Sequence, residues 1–330
     1  MKALDLKLTR IREGTYGPDD FILADAKDGD MALGLAAPGP LRLEGRGPPA
    51  PPFRGRTAHL EAMTEMVRQG VVDILLASAS NAEWLGGHGL FEGSPVTLAL
   101  RANDATDIWR PRGSSYAREP SRPFSSVSLE AVRPFCDLGL YSLTFNNDLE
   151  RDLDSLERYA GFRAEARRLG FRHFLEVFDP NAPSNLLPEA IPSFVNDSIV
   201  RALAGLAGAE RPLFLKIAYH GRRALEELVS YDPALVVGVL GGPAGTSRDA
   251  YELVVQAARS GARVALLGRK INLAESPLDL VALIRPVIRG DLRPEEAVRA
   301  YHGKLQQKGL RPRRALEEDL AITEPALQHG

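Results

Sequence analysis

Short apolar runs alternate with amphipathic stretches along nearly the whole chain. The runs are "FILAD" (21–25), "VDILLAS" (72–78), "PVTLALRAND" (95–104), "GLYSLTFNND" (139–148), "FRHFLEVFD" (171–179), "PLFLKIAYHG" (212–221), "ALVVGVLGGP" (234–243) and "ARVALLGRKI" (262–271). They are apolar on both faces, as parallel strands covered by helices are. Helical spacing fills the gaps, in "HLEAMTEMVRQG", in "SLEAVRPFCDLG" and over 149–169. Two later helices carry start signals. "TSRD" (246–249) offers a Thr/Ser N-cap with an acid in the first turn, and "SPLD" (276–279) offers Ser as N-cap, Pro at N1 and Asp at N3. After it, Leu280, Ile284 and Val287 form one apolar stripe.

Eight β-then-α units predict an α/β fold, a single (β/α)8 TIM barrel. A doubly wound sheet is the alternative, but no G-x-G-x-x-G opens a helix after an early strand. The barrel is expected over about 20–290, within one domain spanning 1–330. One extra helix is expected over "RPEEAVRAYHGKLQQKG", then a loose tail in the last dozen residues.

Two loops are long for this pattern. Residues 36–57, rich in Pro and Gly, lie between strand 1 and helix 1. Residues 110–126 lie between strand 3 and helix 3 and carry Arg110, Arg112, Arg118 and Arg122. Both fall on the barrel face where catalytic loops gather, so each reads either as a solvated connection or as a lid.

Composition narrows the classes of function. The net charge of −2 argues against nucleic acid or an anionic membrane as the main partner. With one cysteine, Cys136, no intrachain disulfide forms, which fits a reducing cytoplasm. The N-terminus has no apolar core of a signal peptide, and no run approaches the ~20 apolar residues of a membrane span.

Candidate chemistry sits at the strand ends. In "GVLGGPAGTS" (238–247) an apolar run meets Gly241 and Gly242 just before a helix start. Glycine lets backbone approach an anion, and a helix N-terminus offers free N–H groups. Gly268 and Arg269 repeat the idea after strand 8, and loops after strands 7 and 8 are where phosphate sites recur in such barrels. A plain tight turn and a surface arginine are the alternatives.

Lys216 interrupts the apolar run of strand 6. It reads either as a lysine whose stem packs while its ammonium finds a carboxylate, or as a Schiff-base nucleophile. The second role needs an unprotonated amine, which an apolar site and nearby cations such as Arg269 or Lys27 favour.

A lysine on strand 6, Gly-Gly ending strand 7 in "GGPAGTS", and "GRKINLAESP" after strand 8 resemble the class I aldolases of the DhnA/DeoC-like superfamily. The opening "FILADAKDGDMALG" is similar to the first strand of the DhnA type. The resemblance is good over roughly 210–285, fainter at 20–35 and poor between. It implies a (β/α)8 barrel that makes or breaks C–C bonds through an iminium on Lys216. It implies no other cofactor, phosphorylated sugars or ketones as substrates, and a homo-oligomer. Gly241, Gly242, Gly268 and Arg269 match its phosphate-binding positions, and Asp25 its strand-1 aspartate. The chain departs from the pattern at strand 4, where Asn146 and Asn147 stand in place of a lysine or tyrosine.

Such chemistry needs a proton shuttle. Asp25 ranks first, with Glu176, Asp28 and Tyr219 as further candidates. Glu176 reads equally as an ion-pair partner of Lys216 or Arg101 inside the barrel. Lys27 is a candidate for a second anionic group. Two rivals share the barrel. One is a metal-dependent lyase or isomerase using Glu176, Asp179, His220 and Asp148. The other is a sugar-phosphate-binding barrel without catalysis.

Overall fold

The computed structural model describes residues 1–41 and 53–328. Eight parallel strands close into a barrel in the order β1-β8-β7-β6-β5-β4-β3-β2. They are β1 (Ile22–Ala26), β2 (Ile74–Ala77), β3 (Thr97–Arg101), β4 (Leu138–Thr144), β5 (Arg172–Phe178), β6 (Leu215–Ile217), β7 (Val237–Leu240) and β8 (Val264–Leu267). Each lies within or beside its predicted run, so the (β/α)8 fold is the one the pattern predicts.

Local chemistry sets the helix boundaries. Before the helix Ser247–Arg259, the Thr246 hydroxyl accepts from the Asp249 N–H and the Asp249 carboxylate from the Thr246 N–H. This capping box satisfies two orphan donors. The long helix Leu149–Leu169 is capped by Asp148 and stops at Gly170, whose φ of 60° is a left-handed value glycine adopts without strain.

Alternation along the strands separates two cores. Ile22, Ala24, Ile74, Leu76, Phe174 and Phe214 face inward and form the lower layers of the barrel. The Phe174 and Phe214 rings stack at 4.5 Å between centroids. The helix Ala3–Arg12 adds Leu4 and Leu8 to this cluster and stops the N-terminal end. The alternate strand residues face the surrounding helices in a second, larger core. Apolar groups fill most of the lower barrel, and the inward charges Arg101, Glu176 and Lys216 lie toward its C-terminal end.

The long loop after β1 is described only in part, since residues 42–52 lie outside the described residues. The loop after β3 is built onto its neighbours. Asp104–Ala105 pairs antiparallel with Pro123–Phe124, and the Ser121 N–H donates to Asn146 and Asn181.

The C-terminal tail is a correction to the sequence reading. After the helix Pro294–Gln307, the chain forms a short helix Leu316–Asp319 and then crosses the start of the helix Ser247–Arg259. Leu327 is buried, and Leu316, Leu320 and Ile322 pack against the outer core. Four apolar residues scattered among charges help to fasten a segment that has no periodic pattern.

Candidate active site

The β4–β5–β6–β7 register sets Ser142 beside Glu176, Glu176 beside Lys216, and Lys216 beside Gly238. These residues share the inward phase of Phe174 and Phe214, one step further toward the C-terminal end. At Gly238 any side chain would meet the Leu215 carbonyl at 2.6 Å, so the β7 neighbour of Lys216 must be glycine.

Lys216 is 6% exposed, and its Nζ lies 2.5 Å from Glu176 Oε1. The other Glu176 oxygen accepts from Ser142 Oγ at 2.9 Å and from Arg101 Nη2 at 3.1 Å. Arg101 also donates to Ser142 Oγ, and through Nε to Asp28 Oδ2 at 2.6 Å. Both ion-pair partners foreseen for Glu176 are therefore present at once. The four charges alternate in sign along Lys216, Glu176, Arg101 and Asp28. Burying any one of them alone would cost several kcal/mol, and pairing in sequence offsets that cost.

Burial works against the charge on Asp28, but Arg101 and Lys216 outweigh it and hold its carboxyl below the usual range. Burial likewise opposes the Arg101 guanidinium, and Asp28 and Glu176 more than restore it, raising its pKa above the ordinary value. Asn103 fixes Ser142 by bonding both its N–H and its carbonyl. The apolar surroundings expected for Lys216 are thus replaced by a hydrogen-bonded polar layer above an apolar floor.

This layer floors a cavity of about 230 Å³. Gly241, Gly242 and Gly268 form one wall, with Arg110 and Arg269 at the mouth. Gly242 has a φ of 66°, and a Cβ on Gly241 would sit 3.1 Å from the Leu267 backbone, so the strand-7 turn depends on both glycines. The Arg269 side chain makes no hydrogen bond and no ion pair at contact distance among the described residues. Burial first, and Arg110 second, push its pKa down, while Glu324 pushes it back in part. Two cations facing each other at an open mouth make a seat for an anion.

The helix start after strand 7 is not part of that seat. The Ser247 N–H donates to Asp319 of the C-terminal segment at 2.8 Å and the Thr246 N–H to the helix's own Asp249, so both donors expected to hold phosphate are already occupied.

Other foreseen residues also lie elsewhere. Asp25 is in the outward phase of β1, fully buried, with Lys27 Nζ at 3.3 Å. Burial raises its pKa and Lys27 offsets this in part. Lys27 is buried, donates to Asn272 Oδ1 and does not line the cavity. Tyr219 follows the outward phase of Leu215 and Ile217, and its hydroxyl bonds Gln256 on a surrounding helix. The structure brings Lys216, Glu176, Asp28, Gly241, Gly242, Gly268 and Arg269 to one cavity, but not Asp25, Lys27 or Tyr219. Arg101 and Ser142 complete the layer. Arg101 carried the same signal as Lys216, a charge at the end of an apolar strand, whereas a serine in a strand carries none.

At the end of β4, Asn146 and Asn147 bond the Ser121, Asp152 and Ser184 segments and act as loop anchors. Among the described residues no group of three or more His, Cys, Asp or Glu is placed to hold a metal ion. Of the foreseen ligands, Glu176 is engaged by Lys216, Arg101 and Ser142, His220 by Asp179, and Asp148 caps a helix.

No family model and no curated protein matches the chain. Solved structures do. An archaeal fructose 1,6-bisphosphate aldolase shares 17% identity at a TM-score of 0.62, covering 87% of this chain and 99% of its own. An archaeal fructose-1,6-bisphosphate aldolase with its catalytic lysine bound to a carbinolamine intermediate shares 18%, also at 0.62, covering 87% and 100%. A protein from Corynebacterium glutamicum shares 17% at 0.60, covering 87% and 93%. The chain shares its barrel fold with these aldolases, whose group the strand-end motifs resemble.

Proposed function

We propose that this chain is a class I aldolase that makes or cleaves a C–C bond through an imine on Lys216, with a phosphorylated sugar, ketone or aldehyde as substrate. The observation that carries the reading is the contact between Lys216 Nζ and Glu176 Oε1 at the floor of a cavity open at the C-terminal end. A nucleophilic amine needs an adjacent proton acceptor, and Glu176 touches it.

In this reading the Lys216 ammonium gives its proton to Glu176, and the free amine attacks the substrate carbonyl carbon. The N–C bond forms, and the carbonyl oxygen takes up the proton that the attacking nitrogen sheds, giving the carbinolamine. Glu176 then returns a proton as hydroxide leaves as water, producing the iminium. In the cleavage direction a carboxylate removes the proton from the hydroxyl on the β carbon. The Cα–Cβ bond breaks, its electron pair neutralises the iminium nitrogen as an enamine, and an aldehyde departs. Protonation of the enamine carbon and hydrolysis by water free Lys216. Asp28, held ionised by Arg101, is the candidate for the hydroxyl proton. Asp25 and Tyr219 give way to it because they lie behind the barrel wall.

Arg110, Arg269 and the glycine wall would hold the phosphate. Ser142 and Arg101 keep the Glu176 carboxylate in place. The reaction so written uses no cofactor beyond the imine. A cytoplasmic homo-oligomer goes with the reading. No helix among the described residues is long and apolar enough to cross a membrane.

The test is retro-aldol cleavage of a panel of phosphorylated hydroxyketones and hydroxyaldehydes, read by aldehyde release. Wild type should cleave at least one, Lys216→Met none, and Glu176→Gln should be slower by about 10²–10⁴-fold. Cleavage that survives Lys216→Met would end the proposal.

A further inference from the structure

The cavity has two unlike sides. Asp28 and Arg101 line one of them, joined through Arg101 Nε. The other is built by β5, β7, β8 and β1, which set Phe178, Leu240, Leu266 and Ala26 along it. Phe178 and Leu240 continue the inward phase of Glu176 and Gly238, two residues or about 6–7 Å further toward the mouth. Leu240 pairs with Leu266 in the β7–β8 register. All four are strand residues, so the barrel itself fixes this side, independently of the loops at the mouth.

This apolar strip leads from the amine to the anion seat. Lys216 lies beside Gly238 at its lower end. At its upper end Leu240 runs directly into Gly241 and Gly242, and Leu266 is followed two residues later by Gly268 and then by Arg269. The part of a ligand that joins a carbon at Lys216 to an anion at Arg269 and the glycine wall therefore lies against Leu240 and Leu266, with Phe178 beside them. A CH2 group there is buried against carbon and gains from it. A hydroxyl there gives up water and meets side chains that offer no hydrogen-bond partner.

We propose that the carbonyl carbon and the anionic group of the ligand are joined by hydrocarbon that carries no hydroxyl, and that Leu240 and Leu266 are the specificity-determining residues that select it. The aldol step still needs a hydroxyl on the β carbon, and that carbon then belongs to a second branch, toward Asp28. The substrate class narrows to a ketone with two unlike arms, an unhydroxylated anion-bearing arm on the apolar side and a hydroxylated arm on the charged side. The inference rests on the aldolase reading for placing a carbonyl at Lys216, while the selection against a hydroxyl on the apolar strip needs no imine.

The experiment uses two ligands that cannot form an imine and differ by one hydroxyl. Propane-1,3-diol monophosphate has a bare CH2 in the middle of its chain, where glycerol 3-phosphate carries a hydroxyl. Calorimetric titration of the wild-type chain should show the propanediol phosphate binding tighter by at least about tenfold, the scale on which an apolar pocket rejects an added hydroxyl. Leu240→Asn puts an amide beside the linker and should bring the two ligands within about threefold of each other. A wild-type preference below tenfold would overturn the inference, as would an unchanged ratio in folded Leu240→Asn. Binding of neither ligand would overturn it too, because the strip has to end on an anion seat. If Leu240→Asn does not fold, the wild-type ratio alone still decides. Failure of borohydride trapping at Lys216 with this preference intact would sink the aldolase reading and not the selection; trapping at Lys216 without the preference would do the opposite.

Discussion

Lys216 meets a carboxylate inside the barrel, and this makes its neighbours as important as the lysine. Glu176 is shared between Lys216 and Arg101, and Arg101 in turn holds Asp28. Arg101→Met should therefore leave two buried carboxylates short of their partner and cost about 3–5 kcal/mol, as breaking buried pairs does. Chemical denaturation would measure it. Arg101→Lys should lose less, because it keeps the charge and forfeits only the forked geometry. Equal stability of Arg101→Met and wild type would contradict the alternating-charge layer. At this scale the sequence was legible where a charge interrupted an apolar run, as at Lys216, Glu176 and Arg101. It misled where one position decides the face. Asp25 and Asp28 stand three apart, so their side chains fall on opposite sides of the wall, and only the closed barrel shows that Asp28 is the inner one.

At the scale of elements, β5 carries two buried ionisable residues with opposite needs. Glu176 faces inward to charged partners, while His173 faces outward into the aromatic group of Tyr141, Tyr159 and Phe162. Burial, with a smaller contribution from Arg163, pushes the His173 pKa down to about 4. The folded state thus prefers the neutral ring, which bonds the Tyr159 hydroxyl at 2.8 Å. Because the folded value lies below the ordinary 6.5, this contribution is fully present above pH 6.5 and is lost as pH falls toward 4. His173→Gln should remove about 3 kcal/mol of that pH dependence, read from denaturation midpoints across the same range. An unchanged pH slope would show that His173 is not held neutral.

Elements also differed in how legible they were. The strands announced themselves by apolar runs and the helices by caps. The barrel-stopping helix Ala3–Arg12 offered only Leu4 and Leu8 on its buried face. The C-terminal segment takes its place from tertiary bonds to Asp249, which no local pattern records. Asp249→Ala should release it, so limited proteolysis is expected to cut within 315–328 in the variant and spare wild type there. Equal protection of both would count against Asp249 as the anchor.

For the molecule as a whole, the topology divides the labour. The apolar layers and the helix Ala3–Arg12 stop one end of the barrel. The polar layer opens at the other, where the β3 loop meets the mouth through Arg110 and the C-terminal segment places Glu324 beside Gly242 of the wall. The order of elements was readable because eight repeats of one unit leave few alternatives. The wall around the site was not, because residues 200 or more apart in sequence build it. The most direct measurement is the intact mass of the chain after borohydride reduction with a phosphorylated ketone or aldehyde that it turns over. One reduced adduct per chain, mapped to Lys216 and absent from Lys216→Met, is the predicted result. Turnover with no adduct, or an adduct on another lysine, would contradict the account.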